Sequence, residues 1–231
     1  FTRLQGSSCT KGNKGMDSYK KYKNSGIDWI GKIPEHWEIK KLKHVSETIM
    51  GQSPHSEDCT SDEIGLPFLQ GNAEFGTYSP TAKYYCDTAS KYAPQDSILL
   101  SVRAPVGAIN KANKIYGIGR GLCAIISDNK IYDSNYIWYV LIITRNELWQ
   151  IATGSTYTAV SLEDVINMQM FIPPLSEQRA IASYLDKKCG EIDLLVENMK
   201  SEVELLREYR TVLISEVVTG KVKVCTDVFS N

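Results

Sequence analysis

The sequence predicts an α+β chain: a β-rich domain with a few helices, followed by one long C-terminal coiled-coil helix. Three observations predict it. From about residue 44 to 132 the segments are short, β-rich and broken by Gly, Pro, Asn and Asp. Beyond residue 176, apolar residues recur at heptad spacing for some forty positions without a proline. The 231 residues, 42% of them hydrophobic, suffice for one large domain plus an appendage.

In chain order, residues 1–15 ("FTRLQGSSCTKGNKG") read as a tag or disordered tail ahead of Met16, which fits an initiator. A domain is expected over 16–175. It opens with lysines among aromatics and turns to an alternating apolar pattern before residue 44. The segments "GLPFLQG", "DSILLSV", "GAINKA" and "LCAIIS" then predict a mostly antiparallel sheet with long loops. Asp133-Ser134 caps a helix running to about Trp149, with Ile137, Val140, Leu141, Leu148 and Ile151 on one face. "ATGSTYTAV" follows as a polar loop, then a short helix at Leu162–Asn167 and a strand ending at Pro173. Trp29, Trp37, Trp138 and Trp149 are assigned to the core.

The last helix is expected over 176–219, with residues 220–231 as a tail. Ser176 is its N-cap, Glu177 suits the positive end of the dipole, and Gly220 stops it. Leu185, Ile192, Met199, Leu206 and Leu213 form the d series; Cys189, Val196, Val203, Arg210 and Val217 form the a series. About 43 residues at ~1.5 Å each make a rod of about 65 Å. A domain of ~160 residues is only about 30–35 Å across, so the stripe outruns it and calls for a partner helix.

Composition excludes several classes. The longest apolar run, Tyr136–Ile143, is too short to span a bilayer, and no charged-then-apolar signal segment opens the chain. Six cysteines (9, 59, 86, 123, 189, 225) lie far apart with no C-x-x-C pair, which reads as free thiols and favours the cytoplasm. Net charge is −1, yet its distribution is uneven: residues 44–82 hold six acids and no Lys or Arg, residues 83–130 seven Lys or Arg against three acids. A local basic stretch of this kind can attract nucleic acid although the whole chain is neutral.

Four segments carry a resemblance: "SGIDWIGKIPEHWEIKKLK" (25–43), "SILLSVRAPVGAINKANKIYGIGRGLCAI" (97–125), "GSTYTAVSLEDV" (154–165) and "IPPLSEQRAIASYLD" (172–186). In this order they resemble the recurrent segments of DNA specificity (S) subunits of type I restriction-modification systems. The resemblance runs from about residue 19 to 220 and implies a target recognition domain followed by a spacer helix. In that family antiparallel spacer helices hold two recognition domains apart, so that each reads one half of an interrupted site. The helices also dock methyltransferase (M) subunits and, through them, the restriction (R) subunit. A usual S subunit has two domain–helix pairs and this chain has one. It therefore reads as a natural half-subunit pairing as a homodimer, a truncated gene product, or an expressed fragment.

No catalytic motif is found. The N-P-P-Y or D-P-P-Y that holds a flipped adenine is absent, and Pro173-Pro174 lack the flanking Asn or Asp and the aromatic. The acids around 57–63 read as a solvated loop, the three histidines are scattered, and no cofactor or metal is expected. "GIGRG" (117–121) is followed by a strand, not by the helix that a phosphate loop needs, so it reads as a tight turn presenting Arg120. Arg103, Lys111, Lys114 and Arg120 suit phosphates or guanine edges; Gln70 and Asn72 suit adenine; Thr156 and Tyr157 lie on the polar loop. The partner-helix interface is assigned to Leu185, Cys189, Ile192, Val196, Met199, Val203, Leu206, Leu213 and Val217. The expectation is a non-catalytic DNA-recognition subunit. The rival readings are a coiled-coil scaffold with a protein-binding head, and the recognition half of a fused methylase-nuclease.

Overall fold

The computed structural model describes residues 18–55, 58–153 and 159–224. The chain divides into a compact unit ending at Arg179 and a second unit beginning at Ala180. The first unit opens with a small antiparallel ribbon, β1 (Tyr22–Asn24) with β2 (Lys32–Pro34). Next comes β3 (Glu38–Lys41), which pairs with the distant β13 (Gln169–Ile172). Two sheets form the body. One is fully antiparallel, in the order β10 (Ile109–Lys111), β9 (Ile98–Ser101), β12 (Leu122–Ser127), β4 (Ser46–Met50).

The other sheet runs β5 (Cys59–Thr60), β7 (Tyr84–Cys86), β6 (Leu66–Leu69), β11 (Tyr116–Ile118), β8 (Tyr92–Ala93). Within it β6 and β11 pair in parallel. Strands β9 and β11 and the first four residues of β12 are buried throughout, in keeping with their largely apolar sequence. Leu69, Leu99, Tyr116, Ile118, Leu122 and Ala124 make one contiguous core joining both sheets. Tyr116 is fully buried, and its hydroxyl lies 3.0 Å from the Pro80 carbonyl oxygen and 2.6 Å from Asn113 Oδ1.

Helix α1 (Ser134–Thr153) begins where Asp133 Oδ1 accepts the backbone N–H groups of Asn135 and Tyr136. It runs four residues beyond the expected Trp149. Its buried ridge is Ile137, Val140, Leu141, Thr144, Leu148 and Ala152, so Ile151 falls beside that ridge and is exposed. The tryptophan expectation also needs correcting. Trp149 is 56% exposed, being one residue, hence about 100°, round from Leu148. Trp29 is 53% exposed and its indole N–H donates to Glu147 Oε1 at 2.9 Å. Trp37 and Trp138 are only half-buried. Helix α2 (Leu162–Ile166) is capped by Ser161, whose hydroxyl accepts from Asp164 N–H while the Asp164 carboxylate accepts from Ser161 N–H.

Helix α3 spans Leu175–Val218, so Ser176 lies inside the first turn; the Pro174 carbonyl takes the N–H groups of Glu177 and Gln178. Gln178 is wholly buried and fastens this turn. Its amide donates to the Ile131 and Pro173 carbonyls, and its Oε1 accepts from Asp133 N–H. Gln178→Ala would leave those groups unpaired, and we expect about 1–3 kcal/mol of lost stability, read by denaturant unfolding. Glu177 accepts from the Tyr19 hydroxyl and, at 2.9 Å, from His36 Nε2. Burial would raise its carboxyl pKa, but these hydrogen bonds outweigh burial and hold it below the usual value.

In the second unit α3 presents its apolar residues to solvent. Ile192, Val196, Met199, Val203, Leu206 and Leu213 of the heptad seam are exposed, Met199 by 64%; Leu185, Cys189 and Val217 are half-exposed. A second apolar set, Leu205, Tyr209 and Val212, recurs at i, i+4, i+7 and is exposed too. On the helical wheel it lies beside the seam, about 100° round. The helix closes in a Schellman motif: Lys221 N–H reaches the Glu216 carbonyl and Gly220 N–H the Val217 carbonyl, with Gly220 at φ +73°.

Candidate nucleic-acid interface

The strand ends place the candidate residues. The C-terminal ends of β4, β6, β9 and β11 and the start of β12 converge at one corner of the first unit. Backbone bonds stitch it together: Gly51 N–H to Leu122, Gln52 N–H to Ile118, Gly119 N–H to Leu69, and Val102 N–H to Gly121. The approach is close. A Cβ on Gly51 would sit 2.2 Å from the Gly119 carbonyl oxygen, and one on Gly119 2.7 Å from Gln70 Oε1, so neither position admits a side chain without moving its neighbours. The glycines of "GIGRG" therefore serve strand convergence, and Arg120 is left on the exposed turn.

Gln70 follows β6 and Arg120 follows β11, two strands paired in parallel, so both side chains emerge at the same edge. Ser53, which follows β4, links them: its hydroxyl oxygen accepts from Gln70 Nε2 at 2.8 Å and from Arg120 N–H at 3.3 Å. Together with Pro54, Cys59, Phe68 and Tyr84 these residues line a cleft of about 430 Å³. Arg103 joins the same corner. Val102 N–H donates to the Gly121 carbonyl, which brings the segment carrying Arg103 beside the turn carrying Arg120. Arg103 is exposed, its backbone bridges Ala159, and its carbonyl accepts from the Ser101 hydroxyl. No carboxylate forms an ion pair with Arg103 or Arg120 among the described residues.

The remaining candidates lie elsewhere. Asn72 opens a 3-10 turn (Asn72–Glu74) two residues beyond Gln70 and is half-buried. Lys111 pairs with Ile98 at the opposite end of β9, where its ammonium donates to Asn135 Oδ1 at 2.9 Å and lies 3.9 Å from Asp96. Lys114 precedes β11, and its ammonium lies over the Tyr116 ring, 5.7 Å from the centroid. The basic stretch is thus split between two ends of the sheets. Thr156 and Tyr157 lie outside the described residues. Sequence reasoning missed Ser53 and Tyr84. "GQSPH" signals only a loop, and its meeting with Gln70 and Arg120 depends on sheet pairing, which no local pattern reveals.

The cleft offers hydrogen bonding and positive charge but no activated nucleophile. Burial first, then the neighbouring Cys86 thiol and Asp58 carboxylate, push the Cys59 thiol up to about 11, so it is protonated at neutral pH. Cys59 and Cys86 are cross-strand partners, a proximity that their spacing in the chain conceals; both are free thiols. No group of three or more His, Cys, Asp or Glu side chains is placed to hold a metal ion among the described residues. Nor is any described helix long and apolar enough to cross a membrane.

A profile of the type I restriction-modification DNA specificity domain matches residues 34–205. The chain belongs to that family. Among relatives, a putative type I restriction enzyme MjaX specificity subunit of Methanocaldococcus jannaschii is 36% identical over 215 residues, covering 92% of this chain and 49% of the relative. The EcoKI specificity subunit of Escherichia coli K12 is 23% identical over 208 residues, with coverage of 83% and 44%. Among solved structures, a chain from work on complex assembly and conformational transition of the type I R-M system superimposes with a TM-score of 0.75 at 33% identity, over 84% of this chain and 48% of the other. The HsdS subunit of Thermoanaerobacter tengcongensis gives a TM-score of 0.64 at 36% identity, over 75% and 41%. The specificity-domain chain spans about half the length of the curated relatives that it matches.

Proposed function

We propose that this specificity-domain chain reads one half of an interrupted DNA site and directs a separate methyltransferase to it, with no catalysis of its own. The observation that carries the reading is the corner where Gln70, Arg103 and Arg120 emerge together on a family fold. Two guanidinium groups without carboxylate partners among the described residues suit adjacent phosphates, and the amide near them suits a base edge. Lys111 and Lys114, held by Asn135, Asp96 and Tyr116, contribute to the field more than to contact. Asn72 would flank the corner from the turn that follows β6. The protein works in the cytoplasm, where its DNA lies.

The exposed seam of α3 pairs with a second copy, and the antiparallel arrangement puts one recognition domain at each end. The additional face at Leu205, Tyr209 and Val212 leaves room for methyltransferase subunits, which in turn hold the restriction subunit. The DNA reading is tested by salt. With Arg103 and Arg120 both replaced by Ala, duplex binding should weaken by about tenfold per arginine. The log–log dependence of affinity on salt should also become shallower by about one unit for each lost phosphate contact. Unaltered affinity and slope in a folded variant would place the DNA elsewhere on the domain.

A further inference from the structure

The corner contains two chemically different parts, and the difference separates base reading from phosphate binding. Arg120 stands on the tip of a turn, exposed and without a carboxylate partner among the described residues. A flexible cation at a tip suits a phosphate. Gln70 is built differently. One N–H of its amide is given to Ser53 Oγ at 2.8 Å, and that hydroxyl is itself fixed by Arg120 N–H. The amide also lies against Gly119, where a Cβ would come within 2.7 Å of Oε1 and 3.1 Å of Cδ. Its orientation is therefore set from two sides by groups that hold no charge. The side chain remains exposed, with one further N–H and the carbonyl oxygen to offer.

We infer that Gln70 is a base-reading residue of this domain, pairing in bidentate fashion with an adenine in the major groove, and that Ser53 is its positioning residue. The inference rests on the DNA reading proposed above and deepens it. One donor and one acceptor side by side complement the N7 acceptor and N6 donor of adenine, whereas guanine presents two acceptors there. The rest of the cleft lining favours the same base pair. Tyr84 and Pro54 line the cleft with Gln70 and offer apolar surface suited to the thymine methyl group of an A·T pair. The Ser53 bond removes rotational freedom that Gln70 would otherwise lose on binding, so a large share of its discrimination depends on Ser53.

The test is selection of the 231-residue chain, as it assembles in solution, against a randomised duplex library. The wild type, Gln70→Ala, Gln70→Glu, Ser53→Ala and Ser53→Thr are compared at one salt concentration. The discriminating readout is position. In both Gln70 variants the preference for adenine should fall by roughly tenfold or more at one position of each half-site, while the other positions keep their preferences. Glutamate retains the shape but has no N–H, so it separates lost hydrogen bonding from lost folding. Ser53→Ala should relax the same position to a smaller degree, and Ser53→Thr, which keeps the hydroxyl, should restore it. Preferences retained at every position in both Gln70 variants would overturn the inference. So would equal relaxation at all positions, which would make Gln70 a structural support of the corner. In either case the wild type would still select a sequence, and the DNA reading would stand. A wild type that selects no sequence would remove that reading and this inference together.

Discussion

Oxidation of a variant whose only cysteines are native Cys189 and an introduced Leu206→Cys should yield a covalent dimer, and a variant keeping Cys189 alone should not. In an antiparallel pairing where a positions meet d positions, the dyad falls between Val196 and Met199. Val196 then faces Met199 of the second copy, Ile192 faces Val203, and Cys189 faces Leu206. The Cys189 sulfurs would be separated by about 25 Å, from 17 residues at ~1.5 Å each, far beyond the reach of a disulfide. A parallel pairing would bring them together. The physical case for pairing is the exposed seam from Ile192 to Leu213. Burying one Leu, Ile or Val contributes about 1.5–3 kcal/mol, so a seam of this length can exceed the roughly 4–15 kcal/mol that association costs. Arg210, at an a position, would lie beside Leu185 of the second copy with Asp186 close by, a charge that can fix register. Efficient cross-linking through Cys189 alone would overturn the antiparallel arrangement.

What could be read from the sequence divides by range of interaction. The long helix was legible because heptad periodicity, a glycine stop and a first-turn acid all act within a few residues; expected over 176–219, it spans Leu175–Val218. Its start was misplaced by one residue because the Pro174 carbonyl opens the helix where a serine cap was expected. The short helix expected at Leu162–Asn167 forms as α2 (Leu162–Ile166), and its cap by Ser161 and Asp164 is equally local although the sequence reading did not name it. The tryptophans misled because size and apolarity argue for burial, while the helical phase of Trp149 and the Glu147 partner of Trp29 keep them outside. The proposed binding corner was legible only in its residue types. Arg103, Arg120 and Gln70 stand out by type, but their convergence follows from the parallel pairing of β6 with β11 and the antiparallel pairing of β9 with β12. Ser53 and Tyr84 had no signal at all, because the cleft that they line exists only once those strands meet. The same sheet pairing sends Lys111 and Lys114 to the other end, although they lie in the same basic stretch.

The central claim is that this chain supplies the DNA sequence and a partner supplies the chemistry. It is tested most directly by sequencing the methylated positions of DNA incubated with S-adenosylmethionine and the purified methyltransferase subunit, with and without this chain. Two identical recognition domains related by a two-fold axis must read the same half-site in opposite orientations. The account therefore predicts methylated adenines in a single interrupted motif whose halves are inverted repeats. None should appear with the chain alone, and none at that motif with the methyltransferase alone. An identical methylation pattern with and without the chain, or methyl transfer by the chain alone, would contradict it.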